Sequence, residues 1–464
     1  MCSGNSKGFK NYLPAAPSLK QALRTPGQQY KDIQVKTSAD TVQHQPRDRD
    51  QLTYFTRMAR ESKKMGKDAI WALHELAFTI DGFVQSITTF PDLVCVIALK
   101  EAVEFADSIS SSAPIIMSYD TTFNMGDFYL SCLTIQLPMF AEHPILPTAF
   151  VLHERKFGSV HEALFSYICP KLKSLHRVVV VTDGEVGIEK AITTCCPSWS
   201  TVGCWNHIIR DVEFWVKKHS GGSAEGMVYK SHVRELLMCA TQAEYDLKLQ
   251  SLRAAWTSAF DTYFETSLEK RVCASCVGSL RQYGIESDSI TTNISESVNA
   301  VLKRFQEWNE VPCDEMVYGI YKLQIFYMSQ VTRSADGFGP YTVDTDSECT
   351  HAAPSVPATD VAALFDDIKS KLQMHEHGTE TVPNSVAAIG QEMMVTHVPA
   401  QQSFQVSLPN GNVHAVRLFP KQSCTCPATT TCSHICAVMR TVGLPLEQRK
   451  TTADRATAQC SVRK

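Results

Sequence analysis

Four residues near the carboxyl end have the type and spacing of a metal site. Cys424-Thr425-Cys426 is followed, after five residues, by Cys432-Ser433-His434. Thiolate and imidazole are the donors of tetrahedral structural zinc sites. A second set is made of carboxylates. Asp120 closes the apolar run from Ile115, Asp183 closes Val178-Val179-Val180-Val181, and Glu296 stands in Asn293-Ile294-Ser295-Glu296-Ser297-Val298-Asn299. Carboxylates at the carboxyl ends of neighbouring strands can share a divalent cation through oxygen ligands. Two such cations about 4 Å apart activate a water and stabilise a leaving oxygen, which is what phosphodiester cleavage needs.

The elements that must position these groups can be read from pattern. Ile115–Met117, Tyr129–Leu137 and Ala149–Leu152 read as three strands, Val160–Leu172 as a helix, and Val178–Val181 as a strand apolar on both faces. Glu185–Thr194 resumes as a helix and Ser200–Trp205 as a fifth strand. The order fits a ribonuclease-H-like sheet, and other α/β folds begin the same way. Ile290, Ile294, Val298, Val301 and Phe305 form an apolar stripe at helical spacing, with Glu296, Asn293, Asn299 and Lys303 on the other side. Phe404–Leu418 alternates around the turn Pro409-Asn410-Gly411-Asn412 and reads as a hairpin, followed by the metal ligands and an apolar helix. A core that thin requires its metal in order to fold. Cys436, one turn into that helix, reads as core.

Bulk composition names no partner: 44% of residues are hydrophobic and 20% charged. Charge distribution says more. The 464 residues hold 44 Lys/Arg against 48 Asp/Glu, but residues 1–70 hold 13 against 6 and residues 415–464 hold 8 against 2, leaving a middle of net −17. Basic ends with an acidic centre suit a nucleic-acid enzyme whose carboxylates gather cations. The amino terminus MCSGNSKGFK has no apolar core for a signal peptide, and Leu93–Leu99 is too short to span a bilayer. The 17 cysteines are therefore expected to be reduced, and clustered ones to bind metal.

The divisions expected are a disordered basic segment (1–50), a helical lead-in (51–113), a catalytic domain (114–333), an acidic linker (334–368), a small ββα zinc domain (403–445) and a basic tail (446–464). The linker holds seven acidic residues and no Lys or Arg.

Asp120-Thr121-Thr122-Phe123, Thr182-Asp183-Gly184, Cys204-Trp205-Asn206-His207 and Asn293–Asn299, in that order, resemble the Mutator-like (MULE) DDE transposase domain over roughly residues 70–330. The resemblance implies a ribonuclease-H-like catalytic domain with a helical insertion at about 208–288, and Asp120, Asp183 and Glu296 as ligands of catalytic Mg²⁺ or Mn²⁺. Cys204 and His207 match that family's Cys-x-x-His motif; we expect them to shape the edge of the active site rather than to complete a zinc site with Cys195 and Cys196. Cys273 and Cys276 read as core cysteines. The carboxyl-terminal pattern resembles the SWIM zinc finger, with Cys424, Cys426, Cys432 and His434 as structural Zn²⁺ ligands.

The function that this resemblance implies is that of a nuclear, DNA-binding transposase or a descendant that cuts and joins DNA. Asn299 and Lys303 would face phosphate, further protein partners would bind through the zinc finger, and an oligomer is compatible with this. The alternative is a domesticated, catalytically silent DNA-binding or transcription-regulating protein. One departure from the pattern stands out: residues 1–100 hold only Cys2 and Cys95, so the amino-terminal zinc module usual in such transposases is not expected.

Overall fold

The computed structural model describes residues 68–449 apart from 90–91, 123–127, 220–222, 286–289, 291–292, 306–310, 346, 358–359, 376–379, 384–392, 419–421, 429–431 and 443–445, with 48, 50, 53 and 54 besides. The segment expected to be disordered lies almost entirely outside the described residues, as does the tail beyond 449.

One large mixed sheet of eleven strands organises the α/β fold. In chain order its members are β1 (Val84–Thr88), β2 (Val94–Ile97), β3 (Ile115–Thr122), β4 (Tyr129–Gln136), β5 (Ile145–His153), β6 (Val178–Thr182), β7 (Ser200–Gly203), β9 (Met394–Val398), β10 (Ser403–Ser407), β11 (Val413–Arg417) and β12 (Ser423–Cys424). They lie in space as β12-β11-β10-β9-β1-β2-β5-β4-β3-β6-β7. Strand pairs β5-β4 and β4-β3 are antiparallel, whereas β3-β6 and β6-β7 are parallel. A separate parallel pair joins β8 (Glu380–Pro383) to β13 (Leu446–Arg449), the latter within residues expected to be tail.

Alternation sorts the two faces of the sheet. Tyr119 and the even-numbered Val178 and Val180 enter the core that helices Gly158–Ile168 and Val186–Cys195 cover; the Tyr119 ring meets Phe165 edge-on, 5.0 Å between centroids. Val179, Val181, Val202 and Cys204 face the other way, against Leu280, Ile285 and Ile290. On that same side helices Asn293–Phe305 and Cys313–Ala335 pack across β3, β4 and β5. The valine strand is thus buried on both faces, as its composition requires.

Pro147 interrupts β5 beyond the point where β2 ends, and the gap is closed by Gln324. Its Nε2 donates to the carbonyls of Pro147 at 2.9 Å and Thr148 at 3.1 Å, and its Oε1 accepts the Leu99 N–H at 2.9 Å. A fully buried amide whose three bonds are all made is tolerated in a core.

The insertion expected at about 208–288 is helical among the described residues, from Trp205–His219 through Val277–Gln282. It has a core of its own in which Tyr229 and Phe260 stack at 4.0 Å and Trp215 stacks on Tyr263 at 5.3 Å. Thr241 caps Gln242–Arg253 by accepting the Glu244 N–H at 3.1 Å, while the Glu244 carboxylate returns to accept the Ala240 N–H at 2.8 Å. That reciprocal cap fixes where the helix starts.

Three expectations need correction. The lead-in is not helical throughout: after the helix Ala69–Thr79, capped by Asp68, come β1 and β2. The short runs Val84-Gln-Ser-Ile-Thr88 and Val94-Cys-Val-Ile97 pair with each other and with strands far along the chain. The acidic linker is pinned rather than loose, since Phe140 bridges Val343, Ser110 bridges Thr350, and the Ala141 N–H donates to the Thr342 carbonyl at 2.9 Å. Its last residues belong to a helix, Val361–His375. Finally, the carboxyl-terminal module starts before Ser403, at β9, and through β9 it joins β1. Among the described residues no helix is long and apolar enough to cross a membrane.

Candidate functional site

Asp120 and Asp183 are brought together by register. Ile115 stands opposite Val178 and Ser118 opposite Val181 in the parallel β3-β6 pair. Carried two residues further, that register sets Asp120 opposite Asp183, which stands just beyond the end of β6. Asp120 is buried at 7% exposure and Asp183 is half-buried. Both charges reach His207, whose pKa is raised: a hydrogen bond to Cys204 is the largest cause, burial opposes it, and the charges of Cys204, Asp120 and Asp183 add to it.

The loop carrying Asp183 is tightly built. Asp183 Oδ1 accepts the Glu185 N–H at 2.9 Å, and Thr182 Oγ1 accepts the Gly184 N–H at 3.2 Å. Gly184 has φ of +82°, in the left-handed region that glycine alone enters freely. Arg271, from the helical segment, donates from Nη2 to the Asp183 carbonyl at 2.6 Å and from Nη1 to Asp211 Oδ2 at 2.8 Å. Nothing in the sequence pattern singles out Arg271, one of two adjacent cations on the helix Glu269–Ser275.

Glu296 lies on the helix Asn293–Phe305, and its side chain is outside the described residues, as is that of Asn293. The neighbouring residues show how the helix is turned. Val298, Asn299 and Leu302 are buried, Lys303 is half-buried, and Arg304 is exposed. Asn299, expected on the polar side, therefore belongs to the buried side, and its Oδ1 is buried with no hydrogen-bond partner among the described residues. Position 296 lies one turn before Asn299 in the chain, and this helix packs on β3 and β4.

Cys204 is buried between β7 and the helix Trp205–His219, its N–H donating to the Thr182 carbonyl at 2.8 Å. The expected fifth strand thus stops at Gly203, and His207 sits in the first turn of a helix. Cys195 and Cys196 are elsewhere. Cys195 Sγ is 3.3 Å from Ser166 Oγ, and Cys196 adjoins Cys169, against the helix on the opposite face. Cys276 is a core cysteine as expected, its Sγ donating to the Cys273 carbonyl at 3.2 Å, whereas Cys273 is only partly buried at the edge of the helical core.

Behind the acid pair, on the other face, lies a buried polar chain that local pattern does not reveal. Thr121 Oγ1 meets Ser131 Oγ at 2.8 Å, Ser131 meets His153 Nε2 at 3.0 Å, and the Tyr119 hydroxyl meets His161 Nδ1 at 2.8 Å. Burial holds both histidines down to about 4, and each is neutral near pH 7.

The carboxyl-terminal module brings together four groups that could hold a metal ion. The ligand atoms of Cys424, Cys426, Cys432 and His434 all lie within 4.8 Å of one another, the only such group of three or more among the described residues. His434 Nδ1 is 3.7 Å from both Cys424 Sγ and Cys432 Sγ. A zinc ion with bonds of about 2.0–2.3 Å has tetrahedral edges of about 3.5–3.8 Å, so the four could hold one with little rearrangement. Strands β10 and β11 and the helix Ser433–Thr441 bring them together, and Gly411 at φ +84° makes the hairpin turn. Cys436 is fully buried one turn further on and outside the cluster, as expected.

No family model matches this chain, and a search of curated proteins finds no relative.

Proposed function

We propose that the chain is a DDE-type transposase, or a protein derived from one, that cuts and joins DNA at the Asp120–Asp183 pair. The observation that supports this best is the strand order. Three antiparallel strands, β5-β4-β3, continued by parallel β6 and β7, match a ribonuclease-H-like domain, with Asp120 on its first strand and Asp183 directly after its fourth. Turning of the helix Asn293–Phe305 so that Asn299 is buried over β3 and β4 favours Glu296 as the third carboxylate.

The donors are hard oxygens, which suit Mg²⁺ or Mn²⁺. Two such ions, when bound, supply an activated water and stabilise the leaving oxygen. The chain's own part is to hold carboxylates level with each other, to border them with Cys204 and His207, and to present Lys303 towards phosphate. The Cys₃His module, with zinc as a structural ion, would contact DNA or protein in the nucleus.

The test is Mn²⁺- or Mg²⁺-dependent nicking of duplex DNA bearing terminal inverted repeats. Wild type should nick only with the cation, and Asp120→Asn, Asp183→Asn and Glu296→Gln should each lose roughly 100-fold or more. Unchanged nicking by Asp183→Ala removes the reading. DNA binding without nicking at any cation concentration leaves the catalytically silent alternative.

A further inference from the structure

We propose that Arg271 is a positioning residue: the joint through which the helical insertion sets the loop that carries Asp183. The inference rests on the acid pair being a cation site and adds a part of the chain that no motif includes.

Arg271 lies just beyond a π-helical stretch, Phe264–Leu268, in the helix Glu269–Ser275. An extra residue per turn rotates everything after it, and such bulges re-aim side chains. Here the re-aimed guanidinium spans two elements. One nitrogen holds the Asp183 carbonyl and another holds Asp211, on the helix Trp205–His219. Asp211 lies one turn after His207 on that helix, so both neighbours of the acid pair hang from one side chain. The side chain is 17% exposed.

Gly184 makes the room. A Cβ there would stand 2.1 Å from Arg271 Nε and 2.4 Å from Cζ. The missing side chain is thus as necessary to the arginine as the left-handed backbone is to the turn. By grasping the main-chain carbonyl, the arginine leaves the Asp183 carboxylate to its turn bond with Glu185 and to a ligand. Lysine offers one point charge where this geometry uses a planar fork.

The experiment compares Arg271→Ala and Arg271→Lys with wild type by hydrogen exchange at the amides of residues 184–187 and by Mn²⁺ binding without DNA. Both variants should exchange faster at those amides, and Mn²⁺ affinity should fall by about 10–100-fold in Arg271→Ala, as when an outer support of a metal ligand is removed. Arg271→Lys should lose less. Unchanged exchange at 184–187 in both variants overturns the joint. Faster exchange with wild-type Mn²⁺ affinity overturns the positioning role, since a merely structural arginine would behave that way. If wild type binds no Mn²⁺ but exchange rises in the variants, the joint stands and the cation-site reading fails, so the two failures are distinct.

Discussion

His74 and His397, 323 residues apart, meet Nδ1 to Nδ1 at 3.0 Å in a buried seam between the first helix and strand β9. One imidazole must donate and the other accept, so the acceptor is neutral, and burial disfavours charge on the donor as well. Phe404 stacks on His397 at 4.5 Å, and Phe78 lies 4.4 Å from the same ring. Burial lowers His74 to about 3; burial and then the charge of His74 take His397 well down.

The seam makes stability depend on pH. These two histidines, with His153 and His161, have folded pKa values below the unfolded 6.5. Their stabilisation is complete above pH 6.5 and is lost as pH falls from there towards 3–4, because the unfolded chain then binds protons that the native one refuses. Each contributes a slope of up to about 1.4 kcal/mol per pH unit. Urea denaturation between pH 7 and 4 should show that loss, and the double variant His74→Phe/His397→Leu should flatten it. A double variant with the wild-type slope refutes the seam's part.

Zinc should be present at one ion per chain in elemental analysis. Removal by a strong chelator, or Cys432→Ser, should abolish hydrogen-exchange protection in β10, β11 and the helix Ser433–Thr441, whose own core is small. Full protection after complete zinc loss would show that the module folds without it.

Gln324→Ala should cost about 2 kcal/mol or more in chemical denaturation, since it strands the Leu99 N–H and the Pro147 and Thr148 carbonyls in the core. A cost within experimental error would mean that other groups satisfy them.

Gly184→Ala should destabilise the fold by about 1–3 kcal/mol, from the positive φ and from displacement of Arg271. Thermal denaturation reads it. Pairing the change with Arg271→Ala should recover the part due to crowding and leave the backbone part, and two fully additive losses would place the strain elsewhere.

Much of this is legible in the sequence because it is local. The four candidate metal ligands span eleven residues, the valine strand declares its burial by being apolar on both sides, and the helical segment keeps its period. Strands β1 and β2 escape such reading because four or five apolar-rich residues fit either period. Their identity is settled by partners such as His397 and Leu152, far along the chain. The same holds within the site. Asp120 and Asp183 announce themselves by closing apolar runs, although β3 continues two residues past Asp120, whereas Arg271 gains its meaning only from a carbonyl 88 residues earlier. Asn299 falls on the opposite side from the one its polarity suggests, because it is buried where its helix packs on β3 and β4, for reasons that hydropathy does not carry.

The shared sheet has a consequence for dissection. Trp71 packs into the zinc module's core, and β9 hydrogen-bonds to β1. A chain ended before Met393 would uncover the outer rim of β1, a bare row of amides and carbonyls that invites a second molecule to dock there. Self-association of such a fragment would reflect that lost neighbour, and a mute fragment in DNA assays would say little about which half carries the activity.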